Sequence, residues 1–301
     1  MRDSKLNSQT TSDDGPKLFR GYSAKQLEVQ YDNRGAVPEY EEISSNWAQH
    51  SATIRQNSNC QLDLSYGSRE REKIDFFECD RSRSPLLIFV HGGYWQRGEK
   101  SNFSFIAEKF LEQDVNVALV GYDLCPTVGV HQIVDQIRSA CVWLWKNPLN
   151  LNFDRDRIFI SGHSAGGHLS AMTLVTDWQK IDASLPPAMV QGGLPMSGIF
   201  ELQPLLHTSI NHALSLDSVS ARDYSPVFLS PSPSARIFLG VGALESDELR
   251  CQTQTLAANW HDKVLEIEAM EVPGANHFTI LDCFSDITHP LFQKSLSIIN
   301  G

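Results

Sequence analysis

The fold is decided by one stretch of the chain, Ile158-Phe159-Ile160-Ser161-Gly162-His163-Ser164-Ala165-Gly166-Gly167-His168-Leu169. It contains Gly-x-Ser-x-Gly between an apolar strand pattern and a helical pattern. A serine on so tight a strand-to-helix turn has a strained backbone that pushes its hydroxyl outward, and small flanking residues let the turn close. The helix N-terminus beneath it supplies free N–H groups and the positive end of a dipole. The pattern therefore predicts Ser164 as a nucleophile and the amide of Ala165 as a donor beside it.

On both sides of this turn, short apolar segments alternate with helical ones. The run at 86–90 is apolar throughout, which is typical of a strand covered on both faces, and another strand is predicted at 157–160. Further strands are predicted at 115–120, 189–196, 236–240 and 264–272, and helices near 40–55, 103–113, 130–146, 165–178, 248–260 and 290–299. This alternation predicts an α/β fold with a mostly parallel central sheet and helices on both faces. A hairpin at 60–66 and 73–79 would add antiparallel N-terminal strands at one edge.

The same pattern suggests how the chain is divided. Residues 1–17 are polar and are expected to form a disordered tail, and residues 18–301 a single α/β domain. Residues 199–232 are rich in Pro, Ser and Leu and break the alternation, so we expect a small cap-like insertion over the strand ends. Aromatic residues of this insertion are candidates for closing the substrate pocket, with core packing as the default: Phe200, Tyr224 and Phe228.

Composition excludes several classes of partner. The formal charge of −11 gives no attraction to nucleic acid or to an anionic membrane. No apolar run reaches the roughly 18 residues of a membrane span, and we expect no secretory signal in the polar N-terminal stretch. The six cysteines are scattered without a Cys-x-x-Cys pair, which argues against a disulfide framework or a zinc site. These features favour a cytoplasmic protein.

A second motif, His91-Gly92-Gly93-Tyr94-Trp95, follows the predicted strand at 86–90 directly. Two consecutive glycines let the backbone amides turn toward a substrate oxygen, and such donors stabilise the oxyanion of an acyl-transfer intermediate. Gly92 and Gly93, together with Ala165, are therefore the predicted oxyanion hole. We expect His91, Tyr94 and Trp95 to contact substrate, although packing within the loop explains Trp95 equally well.

A serine nucleophile needs a base, and His277 is the best candidate among ten histidines. It lies in a turn after the last predicted strand, at the same strand ends as Ser164. In hydrolases of this architecture the chain order is serine, acid, histidine, and His277 fits that order. His163 and His168 flank the serine, but we expect the turn to direct both side chains away from it.

The acid should follow the strand at 236–240 and orient the imidazole. Asp247 has the usual residue type, and Glu245 lies at the usual distance after Gly242. Both reach far enough to contact His277. The sequence therefore leaves the choice between Asp247 and Glu245 open.

With these motifs the chain resembles the kynurenine formamidases (arylformamidases), α/β-hydrolases of the hormone-sensitive-lipase-like branch. The resemblance rests on the His-Gly-Gly-x-Trp signature at 91–95 and on the turn at 162–169, and it extends from about residue 31 to the C-terminal helix. One position departs from the family pattern, because the family usually has Asp three residues after the glycine that matches Gly242. This chain has Glu245 there, and Asp247 two residues later.

The resemblance implies a serine hydrolase that cleaves the formamide of N-formyl-L-kynurenine to L-kynurenine and formate, a step of tryptophan degradation. It implies a small aromatic formamide as partner and neither a metal nor an organic cofactor, and it leaves open whether the chain forms a homodimer. Two other functions remain alternatives. One is a carboxylesterase of broad specificity on small acyl esters. The other is a non-catalytic binding module, which the presence of the serine, the glycines and His277 disfavours.

Overall fold

The computed structural model describes residues 15–301, so the expected tail at 1–17 lies outside the described residues except for its last three. The strands are β1 (Cys60–Ser65), β2 (Lys73–Phe77), β3 (Ser84–Val90), β4 (Asn116–Val120), β5 (Phe153–His163), β6 (Gly192–Met196), β7 (Arg236–Gly242) and β8 (Glu266–Val272). Within the described part they form one sheet in the order β1-β2-β4-β3-β5-β6-β7-β8. Strand β2 runs antiparallel to both its neighbours, and the other neighbours are parallel. The predicted mostly parallel sheet with antiparallel N-terminal strands is confirmed.

Helices connect these strands and cover the sheet. The α-helices are α1 (Ala24–Tyr31), α2 (Tyr40–Asn57), α3 (Ala107–Leu111), α4 (Val130–Lys146), α5 (Pro148–Leu151), α6 (Ala165–Leu174), α7 (Trp178–Ile181), α8 (Asn211–Leu214), α9 (Ser218–Asp223), α10 (Asp247–Trp260) and α11 (Pro290–Asn300). Short 3-10 helices lie at Lys100–Ile106, Gln203–His207, Pro226–Phe228 and Thr279–Ser285. Within the described residues, no helix is both long enough and apolar enough to cross a membrane.

The alternation of side chains along β3 explains why this sheet carries helices on both faces. Leu86, Ile88 and Val90 enter one hydrophobic core, which they share with residues of α4, α6 and α10. Leu87 and Phe89 point the opposite way, into a second core shared with α2, α3 and α11. All five side chains are at most 1% exposed. An uninterrupted apolar strand is therefore stable here because both of its faces are covered.

Some predicted boundaries were wrong. The stretch predicted as one helix at 103–113 is a 3-10 helix followed by α3. The helix predicted at 165–178 ends at Leu174, where the Thr176 hydroxyl donates to the Met172 carbonyl at 2.9 Å and so competes with continued helix. Strand β5 extends beyond the predicted 157–160 in both directions, because Phe153 at its start pairs with Ser84 of β3 and its last residues continue the parallel pairing with β6.

Helix α1 was not predicted, although its start carries a recognisable signal. The Ser23 hydroxyl accepts from the Gln26 amide, and the Gln26 side chain accepts from the Ser23 amide, which together form a capping box. The helix buries Leu27 and Tyr31 against the rest of the domain. This segment is relevant to function because it forms part of the wall of the cavity described below.

Candidate active site

Ser164 lies on the turn between β5 and α6, where the parallel strands end. Its backbone has φ 58° and ψ −119°, a strained conformation for a residue other than glycine. Neighbouring glycines make the turn sterically feasible: a Cβ on Gly162 would lie 2.3 Å from the Gly166 carbonyl oxygen, and a Cβ on Gly166 would lie 1.9 Å from that of Val90. The Gly-x-Ser-x-Gly pattern thus produces the sharp turn that it predicts.

His277 and Glu245 form a buried pair near this turn. Glu245 Oε2 lies 2.6 Å from His277 Nδ1, and the two side chains are 0% and 5% exposed. Strand β7 ends just before Glu245, and the turn after β8 carries His277, so the parallel sheet brings both to the same edge. A carboxylate on Nδ1 orients the ring and leaves Nε2 free to accept a proton.

Asp247, the other candidate acid, lies elsewhere. It is the first residue of α10, which is capped by the Ser246 hydroxyl, and its side chain is 69% exposed. Its carboxylate accepts from the guanidinium of Arg250, at 2.6 Å. The structure therefore brings Glu245 to His277 and does not bring Asp247 there.

Sequence reasoning missed Ser197, which holds the other oxygen of this glutamate. Ser197 Oγ donates to Glu245 Oε1 at 2.5 Å, and the Gly242 amide donates to the same oxygen at 2.6 Å. Ser197 is fully buried directly after β6 and has φ 48°. A serine at the end of a central parallel strand was the available signal, but its partner depends on the three-dimensional arrangement.

Ser164 and His277 line one cavity of about 360 Å³. Within residues 15–301, no hydrogen bond joins the Ser164 hydroxyl to the imidazole. In hydrolases without substrate such hydrogen bonds are often long and tighten only in the Michaelis complex. The observed arrangement is therefore a serine and an oriented imidazole on the wall of a shared cavity.

The amides predicted to form the oxyanion hole are arranged to receive a ligand. Gly92 and Gly93 line the cavity, and Ala165 begins α6 directly after the serine. In the described part of the chain, none of these three amide N–H groups donates to a protein acceptor. Gly92 must be glycine, since a Cβ there would lie 2.7 Å from the His163 carbonyl oxygen and 3.0 Å from Ser164 Cβ. Donors that are unsatisfied by the protein are suited to a developing oxyanion.

Two residues predicted to contact substrate, Trp95 and His91, are buried and do not line the cavity. Trp95 is fully buried and packs edge-on against His168 with the ring centroids 5.0 Å apart. His91 stacks on Tyr122 at 4.3 Å, and its Nδ1 lies 2.8 Å from the Gly92 carbonyl oxygen. Neither side chain lines the cavity, so the expected substrate contact of His91 is corrected and packing, the alternative left open for Trp95, is what the structure shows for both.

Tyr94 does line the cavity, as predicted. Its hydroxyl donates to the Tyr31 carbonyl at 2.5 Å and accepts from the side-chain Nδ2 of Asn33 at 3.1 Å. Burial raises the pKa of this phenol well above its usual value, so it remains neutral. These bonds fix the Tyr94 ring against the segment that follows α1.

The expectation that His163 points away from the site is wrong, whereas His168 does point away. His163 lines the cavity, its ring centroid lies 4.6 Å from that of His277, and its Nε2 lies 2.5 Å from the His277 carbonyl oxygen. Burial holds the pKa of His163 well below its usual value, so it is neutral. His168 Nε2 instead lies 2.7 Å from the Tyr224 carbonyl oxygen.

The remaining walls of the cavity combine aromatic rings with charged groups. The aromatic side chains that line it are Tyr31, Tyr40, Trp47, Tyr94, Phe103 and Phe278. Charged residues are Glu28, Asp32, Arg34 and Arg97, and the 199–232 segment contributes Ser209 and Ile210. The aromatic candidates of that segment, Phe200, Tyr224 and Phe228, do not line the cavity. Half of these aromatic residues, Tyr31, Tyr40 and Trp47, come from α1 and α2, which the sequence alone did not connect with the site.

The donor set gives no indication of a metal centre. Among residues 15–301, no group of three or more His, Cys, Asp or Glu side chains is arranged to hold a metal ion. The chemistry available at this site is that of a serine, an imidazole, a carboxylate and three backbone amides.

The chain is similar to several known proteins. The family model BD-FAE matches residues 75–196. A kynurenine formamidase of Danio rerio is 32% identical over 83% of this chain and 86% of its own length, and one of Salmo salar is 32% identical over 79% and 81%. A solved structure described as a proposed thioesterase of Silicibacter sp. tm1040 superposes with a TM-score of 0.81 at 29% identity, covering 92% of this chain and 99% of its own. On this similarity over most of its length, the chain belongs to the kynurenine formamidase family.

Proposed function

We propose that this protein is a serine hydrolase that cleaves the formamide of N-formyl-L-kynurenine to L-kynurenine and formate, a step of tryptophan degradation. The observation that carries the proposal is the clustering of Ser164, His277 and Glu245 at one cavity, in a chain of the kynurenine formamidase family. The aromatic walls of the cavity suit an aryl substrate, because ring contacts of this kind contribute about 1 kcal/mol each beyond the area buried.

The proposed mechanism follows from the positions of these groups. His277 Nε2 takes the proton of Ser164 Oγ as the oxygen attacks the formyl carbon. The amides of Gly92, Gly93 and Ala165 hold the negative oxygen of the tetrahedral intermediate. His277 then protonates the departing aryl amine, and water, with His277 again as base, releases formate from the formyl ester of Ser164.

Glu245 has a positioning and electrostatic role in this scheme. Its Oε2 accepts from Nδ1 and stabilises the imidazolium that forms when Nε2 is protonated. Ser197 and the Gly242 amide keep Oε1 in place, so the longer side chain of glutamate performs the role for which the family pattern has aspartate. We also propose that the reaction takes place in the cytoplasm, a location supported by six cysteines that are all unpaired.

The experiment that tests the proposal compares kcat/KM on N-formyl-L-kynurenine with kcat/KM on short nitrophenyl esters. The proposal predicts a clear preference for the formamide and loss of turnover in Ser164→Ala. A preference for the esters would favour the carboxylesterase alternative, because both reactions use the same oxyanion and the same serine. Full turnover by Ser164→Ala would instead contradict the serine mechanism.

A further inference from the structure

The cavity contains charged side chains of both signs that are not paired with one another. Glu28, Asp32, Arg34 and Arg97 line it, and within the described residues none of the four takes part in an ion pair. Many arginines elsewhere in the domain do pair with acids, as Arg20 does with Glu201 at 2.8 Å. Unpaired charges of both signs on one binding surface are complementary to a ligand that itself carries both signs.

Arg34 is held in place without an acidic partner. Its Nη2 donates to the Tyr40 hydroxyl at 2.5 Å, and its Cζ lies 4.2 Å from the centre of the Tyr40 ring. A guanidinium has five N–H donors in a planar fork that matches a carboxylate, and this contact uses one nitrogen. Stacking on the ring reduces the conformational freedom that the side chain would lose on binding an anion.

A short series of ring contacts connects this guanidinium with the proposed base. The Tyr40 ring lies 4.6 Å from the Phe278 ring, and the Phe278 ring lies 5.2 Å from His277. Ser164, Phe278, Tyr40 and Arg34 all line the same cavity, so an ortho substituent of an aryl formamide bound at Ser164 enters the cavity that the Arg34 guanidinium also lines. In an aryl formamide with an ortho amino-acid substituent, several atoms separate the carboxylate from the formyl carbon. This separation suits a carboxylate that binds at Arg34 while the formyl group reacts at Ser164.

Arg97 places a second cation on the loop that carries the oxyanion donors. Its amide donates to the Gly93 carbonyl at 3.1 Å, and its own carbonyl oxygen would lie 2.2 Å from a Cβ on Gly93, so its backbone is fixed close to the glycine loop. Within residues 15–301 the Arg97 guanidinium makes neither a hydrogen bond nor an ion pair. It is therefore available to an anion in the cavity.

Of the two acids, Asp32 is the one that remains open to a cation. Both oxygens of Glu28 accept from Ser209, one from its amide at 2.8 Å and the other from its hydroxyl. Asp32 is exposed, and only its Oδ1 has a protein donor, the Gly35 amide at 2.9 Å, among the described residues. Its carboxylate can therefore receive an ammonium group.

We propose that the cavity recognises an α-amino acid zwitterion on the substrate, with Arg34 and Arg97 binding the carboxylate and Asp32 binding the ammonium. The inference rests on the proposed formamidase function and narrows its substrate class. Good substrates are aryl formamides with an amino-acid side chain, and simple aryl formamides without one are poor substrates.

The test uses two substrates with the same reacting group: N-formyl-L-kynurenine, and 2′-formamidoacetophenone, which lacks the amino-acid part. Arg34→Met and Arg97→Met are expected to raise KM for N-formyl-L-kynurenine about 10- to 100-fold each, with a smaller change in kcat. Activity on the acetophenone should stay within about twofold of wild type, which also shows that the variants fold. Arg155→Met is a matched control, since Arg155 stacks on Trp145 at 4.7 Å outside the cavity, and it should change neither substrate.

The ammonium contact is tested with Asp32→Asn. This variant should raise KM for N-formyl-L-kynurenine but not for 4-(2-formamidophenyl)-4-oxobutanoate, which keeps the carboxylate and lacks the ammonium. Equal loss on both substrates, or unchanged KM in the arginine variants, would overturn the proposal. If the wild-type protein hydrolyses both formamides with equal kcat/KM, the formamidase function stands and zwitterion recognition fails. If it hydrolyses neither formamide, both fail.

Discussion

Replacing Glu245 by Gln should abolish most of the activity, for a reason that the hydrogen bonds define. Glu245 Oε1 accepts from two donors, the Ser197 hydroxyl and the Gly242 amide. A glutamine satisfies both donors only by placing its oxygen there, which puts its NH₂ group against His277 Nδ1, where the carboxylate now lies 2.6 Å away. Because an NH₂ group donates, Nδ1 must then accept, and the ring proton moves to Nε2. An Nε2 that already carries a proton cannot take one from Ser164.

The magnitude follows from this change of tautomer. An amide in place of the acid in a serine–histidine–acid site lowers kcat by about 10,000-fold, which corresponds to about 5.5 kcal/mol of transition-state stabilisation. The assay is kcat on N-formyl-L-kynurenine, followed by the appearance of kynurenine. KM should change little, because Glu245 is buried behind His277 and does not line the cavity.

Asp247→Asn is the matched control, since it removes the same charge two residues away. The Asp247 side chain is 69% exposed and pairs with Arg250 on the surface, so kcat should stay within about twofold of wild type. The reasoning would be refuted if Glu245→Gln kept more than about a tenth of wild-type kcat, or if Asp247→Asn were the variant that lost activity.

Three further results are expected. Ser197→Ala leaves Glu245 Oε1 with the Gly242 amide alone and should lower kcat about tenfold at unchanged KM, so a rise in KM without loss of kcat would contradict the positioning role. Gly92→Ala puts a methyl group 2.7 Å from the His163 carbonyl oxygen and should lower kcat about 100-fold or more by displacing an oxyanion donor; the oxyanion assignment would not survive near-normal kcat. Burial lowers the pKa of His91 and of His168 to about 4 and holds that of His163 well below its usual value, whereas histidines of the unfolded chain protonate near pH 6.5. Below pH 6.5 the unfolded state therefore binds more protons than the folded state. The free energy of unfolding should decrease as the pH is lowered below 6.5, by up to about 1.4 kcal/mol per pH unit for each histidine. Urea midpoints at pH 7.5 and 5.5 measure this, and equal midpoints would contradict it.

The parts of the site that sequence predicts are those set by local backbone geometry. The turn around Ser164 and the Gly92–Gly93 loop need glycine, because any Cβ at Gly92, Gly162 or Gly166 would meet backbone oxygens at under 3 Å. Such requirements fix the residue type and the spacing, so both motifs can be recognised in the sequence. The burial of the sheet by helices on both faces can also be predicted from the sequence, because wholly apolar strands are stable only when both of their faces are buried.

The choice of acid is not local, and for that reason the sequence left it open. Glu245 and Asp247 are two residues apart at the end of the same strand, and they differ in which way each side chain turns. Ser246 caps α10 and makes Asp247 the first helical residue, exposed beside Arg250. Glu245 lies in the preceding turn, where Ser197, at the end of a neighbouring strand, holds it. A partner 48 residues away cannot be read from spacing.

The walls of the cavity depend on long-range packing as well. The rings of Tyr40 and Trp47 belong to α2, and the rings of both contact Phe278 after β8. Helical periodicity shows that α2 is amphipathic but not which surface it covers. For Trp95 the error was the opposite one, a cavity contact that was expected and is not present. An aromatic residue next to the glycine loop suggested a substrate contact, whereas the ring is fully buried against His168.

The central claim, that His277 activates Ser164 as the nucleophile, is tested most directly by labelling with diisopropyl fluorophosphate followed by peptide mapping. We predict one label per chain, on Ser164, with activity on N-formyl-L-kynurenine lost in parallel, and labelling slowed at least about 100-fold in His277→Gln. Full labelling of Ser164 without loss of activity, a label on a different residue, or equal labelling rates with and without His277 would contradict the account.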